Sequence, residues 1–214
     1  LSRGTCLAIS NPPNLLPSTK GGTHYTHKPC HCKHCLSAFP FDRSSIERKT
    51  VDMNKHNYTI RQAEFHDSEL ISDLIKSYPD ELLQRPISDI VQNIDRFLVC
   101  ENNNDIVGTV AWQILPEIGS PRHPSIEIKS LAVKKEYQGK GVGKALVLKA
   151  IERIRELQPQ QVISLTFHPG FFTKLGFTET PKEKLMHKIY TGCINCTKYN
   201  SPFTCPEIAM TLNL

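Results

Sequence analysis

The sequence predicts an α/β protein, a mixed sheet with flanking helices, preceded by an irregular N-terminal segment. Three observations predict it. From Met53 onward, short β-branched runs alternate with stretches of helical spacing. The glycine-rich stretch "YQGKGVGKAL", residues 137–146, joins a strand pattern to the longest amphipathic helix. Residues 1–52 differ in texture, with five prolines, four cysteines, four histidines and little periodic hydrophobicity.

The elements follow in order. "YTIRQAEF" reads as a strand, and "HDSELISDLIKSY" has helical spacing at Leu70, Ile71, Leu74 and Ile75. A short helix, "ISDIVQNI", follows Pro86, with Ser88 as its cap. "RFLVCEN" and "DIVGTVAWQIL" are two strands joined by the turn "NNND", and Cys100 within the first is a core residue. "SIEIKSLAV" is a further strand that feeds the glycine stretch. The helix after it runs through Leu157, with one apolar stripe at Val142, Leu146, Ala150, Ile154 and Leu157. "QVISLTF" is a strand, "FFTKLGF" a short helix ending in glycine, and "EIAMTL" a last strand.

At 214 residues the chain holds one ordinary domain and an appendage. Hydrophobic residues make up 39% and charged residues 22%, the balance of a soluble globular protein. No apolar run approaches the ~20 residues that span a membrane, and the opening carries no apolar stretch of a secretory signal. The formal charge of +5 is uneven: residues 1–52 hold seven Lys/Arg against three Asp/Glu, which leaves 19 against 18 in residues 53–214. A near-neutral body argues against nucleic acid as a partner. These features point to a cytoplasmic protein with small-molecule partners, no nucleic acid and no membrane, and leave a homodimer open. Two domains are expected: an irregular or disordered segment over 1–52, dispensable for activity, and a folded domain over 53–214.

The glycines carry the chemistry. Strand, glycine turn and helix start bring backbone N–H groups together at the positive end of a helix dipole, a place for an anion. Glycine allows close approach and positive φ. A plain flexible turn is the competing explanation. A P-loop requires Ser or Thr after Gly-Lys, and Ala145 follows Gly143-Lys144. A dinucleotide fingerprint requires G-x-G-x-x-G, and the spacing here is G-x-G-x-G. What fits is Gln138-Gly139-Lys140-Gly141-Val142-Gly143, directly after "LAV".

"IKSLAVKKEYQGKGVGKALV" resembles the acetyl-CoA-binding motif of the GNAT acetyltransferases, and "FFTKLGF" is similar to their second landmark. The resemblance covers residues 57–214 and implies a GNAT-like, mostly antiparallel central sheet. It implies acetyl-CoA as cosubstrate, its pyrophosphate on the amides of Gln138, Gly139, Lys140, Gly141, Val142 and Gly143, with Lys144 beside them. The pantetheine arm is then expected along Leu131, Ala132 and Val133, pairing as an extra strand. Many members carry a tyrosine in the second landmark to reprotonate the leaving thiolate; this chain has Phe172 there.

The C-terminal stretch "LMHKIYTGCINCTKYNSPFTCPEIAMTL" resembles the end of the short, stand-alone N-acetylglutamate synthases. The matching residues are His187-Lys188, Tyr190, Cys193, Cys196, Cys205 and Glu207–Met210, with a longer spacing between Cys196 and Cys205. The resemblance implies acetyl transfer to the α-amino group of L-glutamate, which opens arginine biosynthesis. The alternatives are a GNAT acting on another amine, or a binding module that keeps the fold without the activity. Period-2 alternation on "SIEIKSLAV" puts Glu127, Lys129, Leu131 and Val133 on one face. Glu127 is the candidate general base, its competing role a surface pair with Lys129. Lys129 and Lys188 are candidates for holding the acceptor's carboxylates.

Cys193-x-x-Cys196 has the spacing of a zinc chelate, which Cys205 or His187 completes as a structural zinc site; reduced structural thiols are the alternative. The N-terminal "HKPCHCKHC" is dense enough to bind metal adventitiously.

Overall fold

The computed structural model describes residues 58–115, 124–194, 196 and 198–214. The expectations for residues 1–52, and the domain start at Met53, lie outside the described residues. Seven strands form one sheet in the order β1-β2-β3-β4-β5-β7-β6. They are β1 (Tyr58–Gln62), β2 (Phe97–Asn102), β3 (Asp105–Leu115), β4 (Ser125–Val133), β5 (Gln161–Thr166), β6 (Thr178–Glu179) and β7 (Ile208–Asn213). Neighbours are antiparallel except β4 and β5, which run parallel. The mixed, mostly antiparallel sheet is therefore present. The β2–β3 turn places Asn103 and Asn104 at φ 50° and 64°, the left-handed pair that a tight hairpin requires and asparagine tolerates.

Alternation along β2 divides the core between the two faces of the sheet. Leu98 and Cys100 join one cluster, with Val110, Ile126, Ile128 and the helical residues Leu146, Ala150 and Ile154. Phe97 and Val99 join the other, with Ala111 and with Ile71, Ile75 and Ile90. These last come from α1 (Ser68–Lys76) and α2 (Ile87–Gln92), whereas α3 spans Val142–Arg155. Helix α3 carries Gly143 in its first turn, which costs about 1 kcal/mol against a better helix former. It buries six apolar side chains, among them Val142, Val147 and Ile151, each large one stabilising by about 1.5–3 kcal/mol, so packing outweighs propensity. The approach of α3 to the sheet fixes Gly108 on β3. A Cβ there would lie 2.9 Å from Leu146 Cδ1 and 3.0 Å from Val142 Cγ1.

The structure corrects three sequence expectations here. Helix α2 starts at Ile87 with Pro86 in the capping position and no side-chain cap bond, so Ser88 lies inside the helix. Helix α3 stops at Arg155, and Leu157 is exposed rather than part of the buried stripe. The alternation over 127–133 breaks. Ser130 sits at φ 53°, the β3–β4 register shifts beside it, and the phase of the side chains flips. Glu127 and Lys129 share one face; Leu131 and Val133 turn to the α3 side, and Ala132 to the α1–α2 side.

Candidate active site

The glycine turn leaves β4 through a short 3-10 turn over Lys135–Tyr137. Gly139 and Gly141 take φ 73° and 88°, a conformation that other L-residues adopt only under strain. Gly141 caps α3, whose first turn bonds through Ala145 N–H to the Gly141 carbonyl at 3.0 Å. The N–H groups at the start of such a helix have no carbonyl one turn back and sit at the positive end of the dipole. Lys140 lies over the Tyr137 ring, its ammonium 5.2 Å from the centroid, and Lys144 lines the cleft beside the turn.

Gln138 differs from expectation. Its backbone N–H donates to Lys135 O at 3.2 Å, and its side chain donates to Val133 O at 3.1 Å and to the Tyr78 hydroxyl at 3.0 Å. It braces the turn, so the anion cradle narrows to the glycines and the first turn of α3. The Val133 carbonyl also accepts from the Tyr78 hydroxyl, so strand-like pairing along Leu131–Val133 meets an occupied carbonyl at its end. Gly143 lies inside α3 and takes no left-handed φ. A Cβ there meets Val133 and Phe171 atoms at 3.6–3.8 Å, ordinary contact.

Strands β4 and β5 pair only over Ser125–Glu127 against Gln161–Ile163. Past Glu127 they part, and a cleft of about 1210 Å³ runs from there to the glycine turn. Glu127 is 4% exposed on its wall. Lys188 Nζ lies 2.8 Å from each carboxylate oxygen. The partner of Glu127 is therefore Lys188, 61 residues away, rather than Lys129. Lys188 ends a short helix over Met186–Lys188 and leads into a π-helical turn over Ile189–Cys193, where Ile194 N–H donates to Ile189 O.

Lys129 also lines the cleft and donates to Gln113 Oε1. Burial, then the nearby Arg85 guanidinium, pushes its ammonium down to about 8. Arg85, which sequence reasoning missed, reaches the same wall. Its Nε donates to Ser130 Oγ at 2.7 Å and its fork pairs with Asp89. Glu207, named in the sequence only as part of the C-terminal resemblance and not as a site residue, is a second carboxylate on this wall: burial raises it, and Cys205 Sγ lies 3.5 Å from its Oε2. Arg85 carried no sequence sign, since an arginine before a proline is ordinary, and Glu207 carried only its place in the C-terminal resemblance. Phe172 is buried against Phe171 and Phe177 as a core residue.

Residues between Lys182 and Glu207 complete the cleft wall. Lys198 fastens this segment, donating to the carbonyls of Pro79 at 2.7 Å, Leu82 at 3.0 Å and Asp80 at 3.3 Å. Lys182 donates to Pro202 O and Cys205 O from inside. Cys193, Cys196 and Cys205 are free thiols on this wall. Burial raises Cys193 and Cys205, which keeps them as thiols. Among the described residues no group of three His, Cys, Asp or Glu side chains is placed to hold a metal, so the zinc expectation finds no site there. No helix among them is long and apolar enough to cross a membrane.

Comparison with known proteins agrees with this geometry. The acetyltransferase (GNAT) domain pattern matches residues 93–179. An uncharacterized N-acetyltransferase of Chlorobaculum tepidum is 34% identical over 157 residues, covering 72% of this chain and 96% of the relative. An amino-acid acetyltransferase of Mycobacterium tuberculosis is 31% identical over 125 residues, covering 56% of this chain and 68% of the relative. A Mycobacterium tuberculosis protein solved in complex with CoA is 26% identical, with a TM-score of 0.60, covering 73% of this chain and 99% of that one. A parted β4–β5 pair, a left-handed glycine cap on α3 and these relatives together place the chain in the GNAT family of N-acetyltransferases.

Proposed function

We propose that the chain transfers the acetyl group of acetyl-CoA to the α-amino group of L-glutamate, the reaction that opens arginine biosynthesis. The observation that carries this reading is the cluster of cations, Arg85, Lys129 and Lys188, on the cleft wall around one buried carboxylate, Glu127. An acceptor with two carboxylates needs cationic partners, and its ammonium needs an anionic one. The relative named an amino-acid acetyltransferase supports an amino acid as the acceptor.

The donor fits the other end of the cleft. The pyrophosphate lies against the turn at Gly139–Gly141 and the start of α3, where helix amides stabilise negative charge. The pantetheine arm follows β4 past Leu131, Ala132 and Val133 toward Glu127. Glu127, directly or through a water, takes one proton from the acceptor ammonium. The free amine attacks the thioester carbon; the C–N bond forms, the C–S bond breaks, and the thiolate leaves. The second nitrogen proton, or one from solvent, neutralises that thiolate, because Phe172 stands where a tyrosine would serve.

Thiol release from purified protein with acetyl-CoA tests the reading, using L-glutamate, L-glutamine and spermidine singly. Turnover is expected with glutamate foremost. Glu127→Gln is expected to lower kcat by about 100-fold at neutral pH, with the KM for acetyl-CoA little changed. Glu207→Gln serves as the comparison: a larger loss there than at Glu127 would move the base to Glu207. Turnover with spermidine but not glutamate would instead favour a GNAT enzyme for another amine.

A further inference from the structure

The Glu127–Lys188 pair has more structure than a general base and a separate carboxylate clamp require. Both carboxylate oxygens lie 2.8 Å from the one ammonium, and the side chains are 5% and 13% exposed. As it stands, each group occupies the other's binding capacity: the base is covered by a cation, and the clamp is filled by an anion. Each therefore needs something in exchange before it can act on a substrate.

We propose that this ion pair is a template for the zwitterion of a free α-amino acid. The α-ammonium takes the place of Lys188 at Glu127, while the α-carboxylate takes the place of Glu127 at Lys188. An α-amino acid carries the two charges on one carbon, so a single molecule inserts between the partners and leaves every charge matched. An amine without a neighbouring carboxylate offers Lys188 nothing in exchange for Glu127. Burial makes that mismatch costly, and the site selects amino acids by charge exchange rather than by shape. The inference rests on the reading that an amino acid is acetylated in this cleft. It goes further in assigning the α-carboxylate to Lys188, with Arg85 and Lys129 left for the acceptor's side chain.

Gly192 sets the position of Lys188. It stands four residues on, within the π-helical turn, and the lysine side chain runs back across it. A Cβ at 192 would lie 2.9 Å from Lys188 Nζ, 3.7 Å from Cε and 3.9 Å from Cδ. Any side chain there pushes the ammonium from its present position. Gly192 is itself exposed, so a methyl there displaces a flexible ammonium and leaves the core intact.

The test compares L-glutamate with its α-carboxamide, L-isoglutamine, as acceptors for the full chain and for Lys188→Met and Gly192→Ala. In the unmutated protein kcat/KM is expected to favour glutamate by about 100-fold, the scale of a lost charge-assisted contact. Lys188→Met is expected to bring the two acceptors within about threefold of each other. Gly192→Ala is expected to lose about tenfold on glutamate only, with the KM for acetyl-CoA unchanged. Equal use of isoglutamine by the unmutated protein, or a preference retained in both variants, overturns the proposal. Should Lys188→Met fail to fold, Gly192→Ala decides alone. If another amino acid is the true acceptor, it is compared with its own α-amide. A preference for the acid then sustains this proposal while the glutamate reading falls, and turnover only of amines lacking a neighbouring carboxylate overturns both.

Discussion

Lys129 holds a positive charge where burial opposes it. Arg85 and Lys188 press in the same direction, and Glu127 and Asp89 only partly offset them, so its ammonium titrates at about 8 instead of 10.5. Below about pH 8 the folded and unfolded chains both keep the proton. Between about 8 and 10.5 the unfolded chain binds it and the folded chain does not, so this residue adds stability as pH rises through that window. Function moves the other way. Above pH 8 the charge is lost, and the KM for a carboxylate-bearing acceptor is expected to climb; in Lys129→Met the KM should start high and lose that climb. Steady-state kinetics from pH 6.5 to 9 on both proteins check this. Gly141 supports a second prediction. Its φ of 88° costs a side-chain-bearing residue about 1–2 kcal/mol, and a carboxylate there faces the expected pyrophosphate. Gly141→Asp is expected to weaken acetyl-CoA binding at least tenfold while the chain still folds, and Gly141→Ala to weaken it less. Calorimetry giving equal affinities would remove the turn from the donor site.

At the level of elements, the contact between α3 and β3 holds the glycine turn in place. Gly108→Ala inserts a methyl within 3 Å of Leu146 and Val142, both fully buried, and is expected to destabilise by about 1–3 kcal/mol in urea unfolding. A change near zero would mean that the helix end gives freely. The elements themselves were legible in the sequence, because strand alternation, the Asn-Asn turn and the glycine cap are local demands met by local residues. The break at Ser130 was not. A serine at φ 53° advertises nothing, so simple alternation put Leu131 and Val133 on the wrong face. Glu127 was legible as a carboxylate feeding the glycine turn. Its partnership with Lys188 depends on a π-helical turn and a glycine path 61 residues on, which no period in the sequence encodes.

For the molecule as a whole, the sheet opens a cleft by parting β4 from β5, and the segment through Lys198 walls it. Under the proposed function the donor's anion binds at one end, on backbone amides, and the acceptor's opposite charges bind at the other, between Glu127 and the cations. That division predicts which amine is acetylated. The direct measurement is a competition: the 214-residue chain with limiting acetyl-CoA and an equimolar mixture of the twenty amino acids, spermidine and a peptide with a free N-terminus, products identified by mass spectrometry. N-acetylglutamate as the dominant early product is the predicted result; acetylated spermidine or peptide in its place would contradict it.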